Sequence, residues 1–259
     1  MKLHAKPSRR RFLGRAFGAA GALALSGCDA LSRTEWFPKV LGVGEKLSES
    51  AHHLLVPRKS MAQEFSEADR SPEFRSNGTA MPNSRQYQAL AAAAFVDYRL
   101  QVGGLVEHPA TLSLAELRAL PSRTQITRHD CVEGWSAIGK WKGTKLSALL
   151  DTVRPKPEAR YVMFYCADPM EANGTGLYYE SIDMDDALHA QTILAYELND
   201  AQLPIKNGAP LRLRVERQLG YKQAKYLMRI EARETLAGLW DGKGGFWEDT
   251  NDYEWYAGI

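Results

Sequence analysis

One cysteine stands among charges. The stretch TRHDCVEGWSAIGKW, Thr127 to Trp141, surrounds Cys131 with Arg128, His129, Asp130 and Glu133. A thiol in such company can be held as the thiolate, the form that ligates metals and acts as a nucleophile. Cys131 therefore reads as the single protein ligand to a metal cofactor; the plain alternative is a buried, inert small hydrophobe. Two further stretches carry the groups that an anionic, phosphate-bearing cofactor needs. Asn207-Gly-Ala-Pro-Leu-Arg212 offers an amide and a guanidinium fork. Gly220-Tyr221-Lys222 offers close backbone approach and an ammonium charge. Each has a bland counterpart: a turn entering a strand, solvated arginines on a polar strand face, a chance tripeptide.

Other chemistries are not supported. There is no GxSxG, no GxGxxG after a strand, no Walker loop and no HExxH. The cysteines are Cys28, Cys131 and Cys166, and no CxxC or CxxCH joins them, so zinc, thioredoxin-like and covalent haem sites lack a motif. Six of the 33 basic residues precede position 28, where there are no acids, so the remainder is net negative against 31 acids. That argues against nucleic acid as the main partner.

The elements that must position these groups can be read in outline. Tyr98–Val102 alternates as a strand and Ser113–Glu116 fits a capping box opening a helix that Pro121 closes. Gln125–Thr127 reads as a strand leading into the Cys131 loop, and Lys145–Val153 as a helix with Leu146, Leu149, Leu150 and Val153 on one face. Tyr161–Cys166, Thr192–Leu198 and Tyr226–Ile230 are strand-like apolar runs, and Asp183–His189 is a short helix with acids in its first turn. Leu211, Leu213 and Val215 alternate with Arg212, Arg214 and Glu216 as in a half-buried strand. Ser71–Pro82 is a turn-rich loop around Asn77-Gly78, and the aromatic tail from Gly242 is expected to pack as an ordered loop. Irregularly interleaved strands and short helices indicate an α+β domain.

The first residues read as an export address. SRRRFL resembles a twin-arginine signal, an apolar run follows, and Leu25-Ser-Gly-Cys28 resembles a lipoprotein box. Residues 1–27 are thus expected to be a signal peptide, 28–70 a tether and 71–259 the working domain. The expected location is the periplasm, with Cys28 lipidated and held at the inner membrane; the alternative is a soluble periplasmic protein.

TRHDCVEGWS with Trp141, then NGAPLRLRVE, then LGYK, occur in the order found in the sulfite oxidase family of molybdopterin enzymes. Together they resemble most its stand-alone bacterial branch, which includes periplasmic methionine-sulfoxide reductases, over roughly Pro72 to Ile259. The resemblance implies an α+β, sulfite-oxidase-type single domain of mixed sheets and short helices around one molybdenum–molybdopterin. It implies that Cys131 ligates molybdenum and that Asn77, Asn207, Arg212, Gly220, Tyr221 and Lys222 contact the cofactor. Cys166 falls where the branch has a cofactor-contacting threonine. Beside the metal, Arg128 is a candidate to hold an oxyanion and His129 to shuttle protons; the alternative is that both brace the loop. The implied reaction is oxygen-atom transfer to or from sulfite or a sulfoxide. Its electrons are expected to pass through a separate haem or cytochrome partner, because no haem domain is visible. The competing readings are a molybdopterin-binding protein without turnover and a lipoprotein that serves protein contacts.

Overall fold

The structure is a computed structural model and describes residues 59–171 and 176–259, with Pro57 and scattered positions from 34 to 50. The leader and Cys28 lie outside the described residues. The chain divides into two compact units, Met1–Val56 and Pro57–Ile259. In the first, the Val40 amide donates to the Trp36 carbonyl at 3.0 Å, one helical turn back. All that follows concerns the second.

Among its described residues that unit holds ten strands and five short α-helices. In chain order they are α1 Arg85–Ala92, β1 Arg99–Gly104, β2 Ala110–Ser113, α2 Leu114–Ala119, β3 Ser122–Asp130, β4 Ser136–Lys145, α3 Leu146–Val153, β5 Tyr161–Pro169, β6 Leu177–Asp183, α4 Met184–Ala187, β7 Ile193–Leu198, β8 Ala201–Gln202, β9 Arg212–Arg214, β10 Leu227–Arg233 and α5 Phe246–Asn251. One sheet runs β2-β1-β10-β5-β6, parallel between β1 and β10 and antiparallel elsewhere. The other runs β3-β4-β7-β8, with β9 also pairing β7. The mixed sheets and short helices make the α+β domain that the interleaved strands and helices of the sequence indicate.

Local chemistry explains the elements that frame the site. Ser113 Oγ accepts from the Glu116 amide at 3.2 Å, and the Glu116 carboxylate accepts from the Ser113 amide at 2.7 Å, closing the expected capping box. α3 buries Leu146, Leu149, Leu150 and Val153 and ends on Arg154, whose φ of 52° is left-handed. β3 and β4 form a hairpin in unbroken register from Ser122↔Thr144 to Asp130↔Ser136. Its connection is Cys131–Trp135, tightened by Cys131 N–H to Trp135 O and Gly134 N–H to Cys131 O, both 3.0 Å, with Gly134 at φ +82°. The strand expected over three residues thus runs for nine and delivers Cys131 at its very end.

Three features differ from the sequence reading. The compact unit begins at Pro57, so residues 57–70 pack on the domain instead of forming a tether. Gln191 holds Ala62 through both its amide and its carbonyl, and the Phe65 amide donates to Ile126 O at 2.9 Å. The β9 stretch is buried on both faces, since Arg212 and Arg214 are as enclosed as Leu211 and Leu213. The aromatic tail contains a helix, α5, which Gly245 admits because a Cβ there would lie 2.0 Å from the Glu248 carboxylate.

Candidate active site

The hairpin tip places Cys131 on a cavity of about 200 Å³. Asn77, Thr79, Asp168, Gln223 and Lys225 supply its polar lining, and Met170, Tyr178, Tyr221, Trp247 and Tyr253 an apolar one. The Cys131 thiol is free and 8% exposed, and Asn77 Nδ2 points at its sulfur from 3.9 Å. Burial pushes this thiol up, with the Glu133 carboxylate adding to it against the pull of the Glu133 amide and Arg75. Local charge alone therefore does not make the thiolate; coordination to a metal does, by taking the place of the proton.

The other candidates divide. His129 does not reach the cavity. It is buried, with Nδ1 3.0 Å from Arg214 Nη1, and burial followed by the charges of Arg214 and Arg212 holds it neutral, well below its ordinary value. It braces the loop from outside the cavity lining. Arg128 turns outward and pairs with Asp130 at 2.9 Å. Cys166 is buried and free, but it lines a separate cavity with Tyr165 and Trp240. Lys222 is the largest departure. Its ammonium is fully buried between Glu180 and Glu248, 2.7 Å from the latter, and it lies over the Trp255 ring at 5.3 Å. Gly220 lines the cavity, yet its missing Cβ makes room for His129, whose Nε2 would lie 2.5 Å from one. Tyr221 also lines the cavity, and its hydroxyl donates to Glu254 O at 2.6 Å.

Two charged residues on the cavity, Lys225 and Asp168, were not singled out by the sequence. Lys225 sits three positions past Lys222 and donates to Asn77 O at 2.7 Å, Thr79 O at 2.6 Å and Lys206 O at 3.2 Å, pinning the Asn77 loop. Either lysine suits a phosphate by type, but Lys222 meets two carboxylates and Lys225 three main-chain carbonyls. Asp168 is the second-last residue of β5, and its Oδ1 is buried without a hydrogen-bond partner among the described residues. Burial raises it to about 6 despite Lys225 nearby. In sequence it is only part of an Ala-Asp-Pro turn.

The buried charges fit a phosphate-bearing pterin. Arg212 and Arg214 are two apart on β9, so they share a face, and both lie over Trp141, 5.1 and 4.4 Å from its ring. Arg214 has Glu216 as a carboxylate partner. Arg212 instead donates to two main-chain carbonyls, Asn207 O at 2.9 Å and Gln223 O at 3.1 Å. Burial and Arg214 hold Arg212 down at about 9, and burial and Arg212 hold Lys225 down at about 8. Among the described residues neither Arg212 nor Lys225 has a carboxylate within ion-pair distance. Arg212 Nε and Asn207 Nδ2 are buried with no hydrogen-bond partner among the described residues. Buried cations and idle donors are costly unless an anionic, hydrogen-bonding ligand meets them. Cys131 would ligate the metal, and Asn77, Gln223 and Lys225 on the cavity would hold the organic part, while Asn207 and Arg212 lie buried off its lining.

Comparison with known proteins gives the same chemistry. Residues 87–239 match the family model described as the oxidoreductase molybdopterin binding domain. A protein of Azospira oryzae named "Putative protein-methionine-sulfoxide reductase subunit YedZ1" is 36% identical over 97% of this chain and 88% of its own length. A protein-methionine-sulfoxide reductase catalytic subunit MsrP of Ralstonia nicotianae is 32% identical over 88% of this chain and 69% of its own. The MsrP of Xanthomonas axonopodis is 38% identical over 54% of this chain and 46% of its own length.

Proposed function

This chain belongs to the oxidoreductase molybdopterin-binding family, and on that premise we propose that it reduces sulfoxides, with the sulfoxide of methionine side chains as the first substrate class. It is a molybdenum–molybdopterin oxidoreductase; the bound centre supplies two-electron oxygen-atom transfer. In the proposed direction the sulfur–oxygen bond breaks, sulfur gains two electrons, and oxygen leaves as water with two protons.

The observation that carries the choice of sulfoxide over sulfite is the charge around Cys131. Arg128, the cation that could have held an oxyanion, is engaged outside the cavity, while Glu133 and Asp168 line it. Lys225 is committed to three main-chain carbonyls. A neutral sulfoxide oxygen accepts hydrogen bonds without meeting carboxylate repulsion; a sulfite anion does meet it. Asp168, raised to about 6, is ionised for the most part at neutral pH, and in the fraction that is protonated it can give its proton to departing oxygen.

The relatives' names describe subunits, which supports a separate electron partner for this chain; a haem protein or cytochrome is the class proposed. Export by the twin-arginine route and a lipid anchor on Cys28 at the periplasmic face of the inner membrane belong to the same proposal, resting on SRRRFL and Leu25–Cys28. The test is turnover by molybdenum-loaded protein, reducing methyl sulfoxides with a viologen dye and oxidising sulfite with an acceptor dye. Sulfoxide reduction should dominate, and Cys131→Ser should abolish it. Faster sulfite oxidation, or activity surviving in Cys131→Ser with molybdenum present, contradicts the assignment.

A further inference from the structure

The family match ends at residue 239, yet two of the side chains that line the cavity, Trp247 and Tyr253, come from beyond it. They are carried by α5 and the turn after it, where Asp252 is left-handed at φ 54° and the Tyr253 amide donates to Trp247 O at 3.3 Å. The two rings lie 5.9 Å apart, and Tyr253 meets Tyr221 edge-on at 5.1 Å. With Met170 and Tyr178 they are uncharged side chains that line the same cavity as Cys131.

This segment is fastened at several points. Glu248 of α5 is fully buried and joins the Lys222 ammonium, which also binds Glu180 of β6. The Tyr179 hydroxyl donates to Asp249 at 2.6 Å and Trp255 Nε1 to Ser181 Oγ at 2.8 Å. The Leu219 amide donates to Ala257 O at 2.9 Å, tying the last residues to the Gly220 loop. A tail held only by solvent-facing contacts would not present two rings at one place; a buried ion triad fixes where they stand.

We propose that the C-terminal segment Phe246–Trp255 is a specificity element, in which Trp247 and Tyr253 grip the carbon substituents of an organosulfur substrate over Cys131 and disfavour small hydrated oxyanions. Apolar substituents gain by leaving water against aromatic faces, whereas sulfite would shed hydration there for no hydrogen bond in return. The ion triad is the positioning device: Lys222 and Glu248 act through Trp247 and touch no substrate. This deepens the sulfoxide reading and rests on it only for the direction of turnover.

The experiment uses full-length, molybdenum-loaded protein and three variants, Trp247→Ala, Tyr253→Ala and Trp247→Phe. Two quantities are read: the ratio of kcat/KM for methyl p-tolyl sulfoxide to that for dimethyl sulfoxide, and the Kd of the non-reducible probe methyl phenyl sulfone by calorimetry. Trp247→Ala should lower the ratio about tenfold or more, chiefly through KM, and weaken the sulfone by a similar factor. Trp247→Phe should recover most of both. An unchanged ratio and unchanged sulfone affinity in a variant that melts like the wild type overturns the proposal, as does a wild-type protein that does not bind the sulfone. If the wild type binds the sulfone and Trp247→Ala weakens it while no sulfoxide is turned over, the specificity element stands and the proposed reaction fails. If sulfoxides are reduced but the ratio ignores Trp247, the reaction stands and the specificity element falls.

Discussion

Gly220→Ala tests how the two motifs are spaced. An alanine Cβ at 220 would lie 2.5 Å from His129 Nε2, 2.6 Å from Cε1 and 3.2 Å from Asp130 O. Ordinary contact is about 3.5 Å or more, so the ring or the Gly220 loop must retreat by about 1 Å. The ring cannot simply swing aside. Arg214 holds Nδ1 at 3.0 Å, and Trp135 and Phe74 stand 5.5 and 5.9 Å from it, centroid to centroid. Overpacking of this kind costs about 1–3 kcal/mol. A domain of this size loses roughly 2–4 °C of melting temperature per kcal/mol, so a cost of about 2 kcal/mol predicts a fall of about 4–8 °C. Because His129 stands two residues before Cys131, the displacement should also reach the hairpin tip and lower molybdenum bound per chain. Calorimetry and metal analysis measure both. His129→Ala costs stability by itself, since Arg214 loses a partner, but it vacates the space the new methyl needs. The double variant should then be at least about 1 kcal/mol more stable than the sum of the singles. Strict additivity, or a Gly220→Ala protein that melts with the wild type and keeps its metal, refutes the reasoning.

The two lysines should separate cleanly. Lys222→Met leaves Glu180 and Glu248 buried without their cation and should destabilise the fold by about 3–5 kcal/mol, seen in denaturant unfolding; equal stability would contradict the ion triad. Lys225→Met removes a buried cation bonded only to carbonyls, so it should cost about 1 kcal/mol while sharply lowering pterin content in the purified protein. Full pterin content in that variant would remove Lys225 from the cradle. Asp168 is protonated below about pH 6, so kcat/KM should decline as pH rises through about 6. Asp168→Asn should lower the rate and erase that limb; a limb that persists in the variant assigns it to another group.

Sequence by itself determined the site's centre and much of the frame. Cys131 was legible because a thiol between charged residues is a poor core packer, and the capping box at Ser113 because its hydrogen bonds span three residues. The helix at α3 and the apolar strands β5 and β7 followed from periodicity, which reports burial of a local face. Asn207 and Arg212 were legible as residue types; the fold buries both off the cavity lining, each with a side-chain nitrogen left unpaired among the described residues.

Only tertiary structure decided which charges face the cavity. Arg128 and His129 flank the same short stretch as Cys131, yet β-strand alternation sends one into solvent and the other toward Arg214. Lys222 and Lys225 differ by three positions, and carboxylates 42 and 26 positions from Lys222 claim the first. Arg212 and Arg214 read as the wet side of a strand because alternation cannot tell solvent from a second buried layer; Trp141, brought by β4, supplies that layer. Asp168 and the tail rings Trp247 and Tyr253 carry no motif, since their roles come from long-range packing against the Cys131 hairpin. Local sequence encodes the spacing of side chains along one element. The pairing of charges across elements is settled by which elements the core brings together.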